Sequence, residues 1–119
     1  FEESEEFGVT KGLKLIKGKV KKFKETKNLK VPHIGWNNLT PRINNKNILK
    51  MINRNNKYYF VHSYYCVPKE DKIISSLTEY QNIKFCSSIT QNNIVATQFH
   101  PEKSGEAGLK IIGGMYKYL

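Results

Sequence analysis

The run QFHPEKSG at 98–105 places a histidine two residues before a carboxylate. At that spacing Glu102 can accept a hydrogen bond from one ring nitrogen of His100 and leave the other free to move protons. A general base and its orienting partner need that arrangement. The same spacing occurs in solvated turns, so these residues alone leave both readings open. A second polar cluster, His62-Ser63-Tyr64, closes the run YFV at 59–61; on spacing alone it reads as a hydrogen-bonded strand end. The histidines at 33, 62 and 100 are too dispersed to suggest a metal site. Cys66 and Cys86 lie in apolar runs without CxxC spacing and are expected to be small buried hydrophobes, neither a disulfide nor a ligand pair.

Positioning His100 and Glu102 falls to the elements around them. The run Ile94 to Phe99 predicts a buried strand with His100 emerging at its end, where Pro101 stops the ladder and aims Glu102 back. Three more strand-like runs, KYYFVHSYYCV, DKIISSLTEY and IKFCSSIT, are rich in β-branched and aromatic residues, and their short separations predict an antiparallel section of sheet. Upstream, FGVTKGLKLIKGKVKKF predicts a half-exposed strand carrying Leu13, Leu15, Val20 and Phe23, broken near Gly18. NNKNILKMINRNN predicts one or two helical turns. The closing stretch SGEAGLKIIGGMYKYL predicts a helix with Leu109, Ile112, Tyr116 and Leu119 on one face, weakened by Gly113-Gly114 at about 1 kcal/mol per glycine. FEESEEF at the start reads as the middle of a helix with no capping residue before it, so the beginning is expected to be cut.

At 119 residues, with 39% hydrophobic and 12% aromatic content, the chain is expected to be one domain, 1–119, with a core. No stretch is long and apolar enough to span a bilayer, and residues 1–30 carry too many charges for a signal peptide, so a soluble cytoplasmic protein is expected. The net charge is +10, and nine lysines stand between Lys11 and Lys30 against the single acid Glu25. Such a block could track phosphates, but only Arg42 and Arg54 carry the side chain suited to bidentate recognition. A solvated surface is the expectation, with no nucleic-acid partner.

Four blocks occur in order: VPHIGWN at 31–37, YFVHSYY at 59–65, TEY at 78–80 and QFHPEKSGEAGLK at 98–110. Together with FEESEEFGVTKGL at the start, they make the chain resemble, over nearly its whole length, the glutamine amidotransferase subunits of imidazole glycerol phosphate synthases, within the class I glutamine amidotransferases. The resemblance implies an α/β fold: a three-layer α/β/α, flavodoxin-like domain with a mixed sheet, of which this chain is the C-terminal part with antiparallel strands and a terminal helix. It implies a Cys-His-Glu triad in which His100 and Glu102 are the second and third members, with Ser63 and Tyr64 binding the substrate glutamine and no cofactor. The family's nucleophile sits on a Gly-x-Cys-x-Gly turn, and its place, like that of the oxyanion loop, would be before Phe1. Cys66 and Cys86 lie inside strand-like runs and are not substitutes. Lys14 stands where the family commonly has glycine, expected to adjust a surface strand.

The resemblance also implies a partner, a (β/α)8-barrel cyclase subunit that takes up the ammonia in histidine biosynthesis, faced by Trp36, Asn37, Tyr59 and Lys103. Two other readings stand beside it. One is a paralogue feeding ammonia to a sugar-modifying amidotransferase; the other is a basic binding module without catalysis. If the family's early parallel strands are absent, an uncovered apolar patch beside His100 and His62 is expected.

Overall fold

The computed structural model describes residues 1–6, 8–42 and 52–118. Among them are ten strands: β1 (Glu3–Ser4), β2 (Thr10–Lys11), β3 (Gly18–Lys22), β4 (His33–Asn38), β5 (Thr40–Pro41), β6 (Lys57–His62), β7 (Tyr64–Pro68), β8 (Ile74–Tyr80), β9 (Ile83–Gln91) and β10 (Ile94–Thr97). One helix, α1 (Gly105–Tyr118), follows them. β2, β1, β3, β7, β9, β8 and β5 are hydrogen-bonded in that order, with β10 also on β9, as an eight-stranded sheet; β4 and β6 form a separate two-stranded ribbon. β1 runs parallel to β3 and the other pairs are antiparallel. A mixed sheet with a terminal helix is the α/β arrangement the resemblance implied.

The described part of the FEESEEF opening, FEESEE at 1–6, is not a helix. Glu3–Ser4 is a strand because its acids have better partners across the sheet than along a helix. Glu5 accepts the Lys22 backbone N–H at 2.8 Å, Glu2 accepts that of Gly18 at 3.3 Å, and Glu3 pairs with Lys19 at 3.0 Å. Opposite-charge pairing across strands overrides local propensity. The predicted lysine-rich strand begins at Gly18 instead of breaking there, and Leu13 and Leu15 lie exposed in the connection before it. Lys14 is in that connection too, not in a strand, at φ 62°. In this left-handed region glycine carries no penalty, which gives the family's preference a local cause. The helical turns expected at 44–56 fall mostly outside the described residues.

KYYFVHSYYCV divides at Ser63 into β6 of the ribbon and β7 of the large sheet. The β6 face carrying Tyr58, Phe60 and His62 is buried, and so is His33 opposite, in register with His62. The main core lies between ribbon, sheet and α1, around Phe23, Phe60, Phe85, Phe99 and Ile111. α1 presents a different face from the predicted one. Leu109 and Tyr116 are 63% and 86% exposed, whereas Ile111 is buried and Ala107 and Met115 pack on the core. Gly108 sets this rotation, since a Cβ there would stand 2.8 Å from the Ser104 Cβ and overlap the Pro101 carbonyl, so only glycine lets the helix lie this close.

The meander β8–β9–β10 turns through two-residue loops, with Tyr80 opposite Ile83 and Gln91 opposite Ile94. Gln81 and Asn82 both have positive φ, 50° and 69°, the geometry of a hairpin turn matched to strand twist. β10 is not the buried strand expected. It ends at Thr97 with Ile94 exposed, and burial is confined to Phe99 beyond it.

Candidate functional site

After Phe99 anchors the chain in the core, Pro101 opens a single 3-10 turn, Pro101–Lys103. Proline suits this first position because it has no N–H to leave unsatisfied. His100 is held on both sides by backbone: its N–H donates to the Tyr59 carbonyl at 2.9 Å, and its carbonyl accepts the Ser104 hydroxyl at 2.6 Å. The Ser104 oxygen in turn accepts the Tyr59 N–H at 3.0 Å, closing a ring between β6 and the turn. With its backbone fixed, the imidazole places Nδ1 at 2.8 Å from Glu102 Oε1. The hydrogen bond from His100 lowers the Glu102 carboxyl below its ordinary range, and the Glu102 backbone N–H adds to the effect. Glu102 therefore stays ionised and fixes the proton on Nδ1, leaving Nε2 as the nitrogen that could give or take a proton. The two side chains come from a loop and the turn after it, not from neighbouring sheet elements.

His62, the last residue of β6, donates from Nδ1 to the Tyr64 carbonyl at 2.7 Å and contacts His33 Nδ1 through Nε2 at 2.9 Å. Burial lowers both histidines, with His33 pulled down to about 4; the His100 charge presses on His62 in the same direction. His62 and His100 thus share one electrostatic neighbourhood. Ser63 is the corner between ribbon and sheet, its carbonyl accepting the Phe23 N–H at 2.9 Å. Tyr64 opens β7, with Lys22 Nζ 6.0 Å from its ring centre.

On the ribbon's outer face, Trp36 and Tyr59 are cross-strand partners with rings 5.7 Å apart, edge to face. Beside them Ile34 and Val61 are also paired. Ile34, Trp36 and Val61 are 60%, 53% and 40% exposed, making an apolar strip next to His62 and to the Tyr59 carbonyl that holds His100. Asn37 points to the ribbon's other face, donating to the Glu79 carbonyl at 2.9 Å, so it does not share the strip with Trp36. Lys103 is exposed in the 3-10 turn.

Cys66 and Cys86 are opposite one another on β7 and β9, and both thiols are free. Burial pushes Cys66 up and Cys86 up to about 12, so neither is a thiolate at neutral pH. Among the described residues no group of three His, Cys, Asp or Glu side chains could hold a metal ion, and no helix is long and apolar enough to cross a membrane. Sequence reasoning missed His33 and Ser104. His33 had a signal: in HIGWN the residues at 33, 35 and 37 alternate with Ile34 and Trp36. Ser104 had none beyond its place before a helix.

Comparison with known proteins matches residues 5–112 to the family described as Glutamine amidotransferase class-I. A Methanocaldococcus jannaschii protein named imidazole glycerol phosphate synthase subunit HisH is 48% identical over all of this chain and 58% of its own length. Proteins of that name from Chlorobaculum tepidum and Pyrococcus furiosus are each 44% identical, over 92% and 94% of the chain and 54% and 56% of their own lengths. The chain thus spans a little over half the length of the curated relatives it matches.

Proposed function

The chain belongs to the class-I glutamine amidotransferase family, and from that premise we propose that it carries the acid–base half of a glutaminase site. In this reading the protein hydrolyses glutamine to glutamate and ammonia, as a subunit of an imidazole glycerol phosphate synthase in histidine biosynthesis. The relatives' shared name supports the subunit assignment. The observation that carries the chemistry is the 2.8 Å contact between His100 Nδ1 and Glu102, with Nε2 making no hydrogen bond among the described residues.

A thiolate attacks the side-chain amide carbon of glutamine; the His100 imidazolium gives its proton from Nε2 to the departing ammonia. Neutral His100 then takes a proton from the water that attacks the thioester, releasing glutamate and restoring the thiolate beside the imidazolium. Glu102 orients the ring and stabilises its charged form. The thiol is supplied from outside residues 1–119, because these contain no Gly-x-Cys-x-Gly turn and their two cysteines, Cys86 buried and Cys66 half-buried, are held protonated. Ser63 and Tyr64, at the corner beside His62, hold the glutamine.

Ammonia released into water would protonate and cease to be a nucleophile, so it must pass directly to its acceptor. A (β/α)8-barrel cyclase subunit is that acceptor, seated on the strip of Ile34, Trp36 and Tyr59 with Lys103 at its rim. Exposed aromatics of this kind are the usual anchors of an interface. Asn37 contributes from behind the strip.

The test joins residues 1–119 to the segment of the Methanocaldococcus jannaschii relative that precedes the matching region, and measures ammonia released from glutamine with a barrel cyclase subunit present. Release that is lost in His100→Ala and in Glu102→Ala supports the proposal. Release unchanged in His100→Ala, or release by residues 1–119 alone above their own His100→Ala control, overturns it.

A further inference from the structure

Asn37, His33, His62 and the Tyr64 carbonyl form one continuous set of contacts across the inner face of the ribbon. Asn37 Nδ2 lies 3.4 Å from His33 Nε2, His33 Nδ1 lies 2.9 Å from His62 Nε2, and His62 Nδ1 lies 2.7 Å from the Tyr64 oxygen. The direction of every proton in this chain is determined. A carbonyl only accepts, so His62 must carry its proton on Nδ1. A neutral His62 then has a bare Nε2, which requires the proton of His33 on Nδ1 and leaves His33 Nε2 bare. Only an N–H donor can face that atom.

Asn37 supplies such a donor, and its amide is oriented independently. Oδ1 accepts the Asn38 N–H at 2.7 Å, and Nδ2 donates to the Glu79 carbonyl at 2.9 Å. The polarity demanded at the Tyr64 end and the polarity set at the Asn37 end agree. Aromatic faces enclose the rings: His33 stacks on Tyr80 at 4.0 Å and on Phe60 at 4.9 Å, and His62 packs on Phe85 at 5.0 Å. Among the described residues the titratable groups facing the pair are each other, His100 and the Tyr80 phenol; β8 presents the Glu79 carbonyl to Asn37.

We propose that Asn37, His33 and His62 are positioning residues: a one-way hydrogen-bond relay that holds the Tyr64 carbonyl, and with it the Ser63–Tyr64 corner, from the far end of the ribbon. The relay stands on geometry; its value for glutamine binding rests on the function proposed above. A change at the Asn37 amide is passed to Tyr64 by two proton shifts, with no strand required to move. A direct packing contact does not transmit in this way.

The test is nitrogen NMR of residues 1–119 with labelled histidine at neutral pH. Both His33 and His62 should show Nδ1–H and a bare Nε2; an Nε2–H tautomer of either in the unsubstituted protein overturns the relay. Asn37→Asp replaces the donor with an acceptor, so the His33 proton should move to Nε2. His62 should then follow, by tautomer shift or protonation, although the new carboxylate does not touch it. A change confined to His33 overturns the coupling.

In the joined polypeptide, Asn37→Asp should raise the glutamine KM about fivefold to tenfold, the worth of one hydrogen bond, with kcat nearly unchanged. His62→Gln, which keeps one acceptor and one donor, should retain a KM closer to the parent than His62→Leu. Equal effects of Gln and Leu would overturn the positioning role. If the parent polypeptide releases no ammonia, the function proposal fails while the NMR result still decides the relay.

Discussion

Lowering the pH from 7 to about 4 should destabilise the protein largely through His33. The residue is 3% exposed, and burial, followed by the neighbouring His62, draws its pKa from 6.5 down to about 4. Between those values the unfolded chain binds a proton that the folded chain refuses. Stability therefore rises with pH across the window, being fully present above about 6.5 and lost as pH falls toward 4. A depression of about 2.5 units, at about 1.36 kcal/mol per unit, amounts to about 3 kcal/mol. A typical domain has a total of about 5–15 kcal/mol, so this is a large share. His62 is lowered by burial in the same direction and adds to the loss. Urea unfolding followed by circular dichroism at several pH values gives the profile, with His33→Gln as reference, since glutamine bonds on both sides but does not titrate. The unsubstituted protein should lose about 3 kcal/mol more than His33→Gln over this range; parallel profiles would refute the assignment to His33.

Four further outcomes can be checked on the same chain. Gly113→Ala should raise stability by up to about 1 kcal/mol, because nothing lies within 4 Å of the added methyl; a lower urea midpoint would contradict that reading. Gly108→Ala should cost about 1–3 kcal/mol and shift the His100 ring resonances, since the methyl would push α1 off the turn that carries Glu102. Lys14→Gly should be stabilising by about 0.5 to 1 kcal/mol, through relief of the left-handed backbone at φ 62°. Cys86, with its thiol pushed up to about 12, should resist dithiobis-nitrobenzoate at neutral pH until urea unfolds the chain; rapid labelling of the native protein would show the β9 thiol to be open.

The pairing of His100 with Glu102 was legible because both groups lie in one short segment, where Pro101 limits the backbone to conformations that bring them together. The strand runs from Lys57 to Gln91 were legible from alternation and β-branching. What was not legible depended on contacts between distant residues. The acids of FEESEEF look helical until β3 offers them lysines and backbone donors. KYYFVHSYYCV gives no local sign that Ser63 divides it between two sheets. The inward face of α1 is set by the approach of Gly108 to the Pro101–Ser104 turn, which a count of apolar residues at helical spacing misses. His33 and His62 were each visible as residues, but their pairing required the register of β4 on β6.

The hairpin turns at Gln81-Asn82 and Asn92-Asn93 bear on how the chain reaches this structure in time. β8, β9 and β10 meet through two-residue loops whose ends are already close, so they lose little chain entropy on pairing. β3 and β7, joining Val20 to Cys66, close a loop that contains the whole ribbon. Local pairings precede distant ones when loop closure limits the rate. Residues 74–97 should therefore assemble first as a template, on which β7 docks through the Cys66–Cys86 pair, with β3 and the acidic β1 arriving last. On this order, loosening the Gln81-Asn82 turn slows folding, whereas loosening β1 chiefly speeds unfolding.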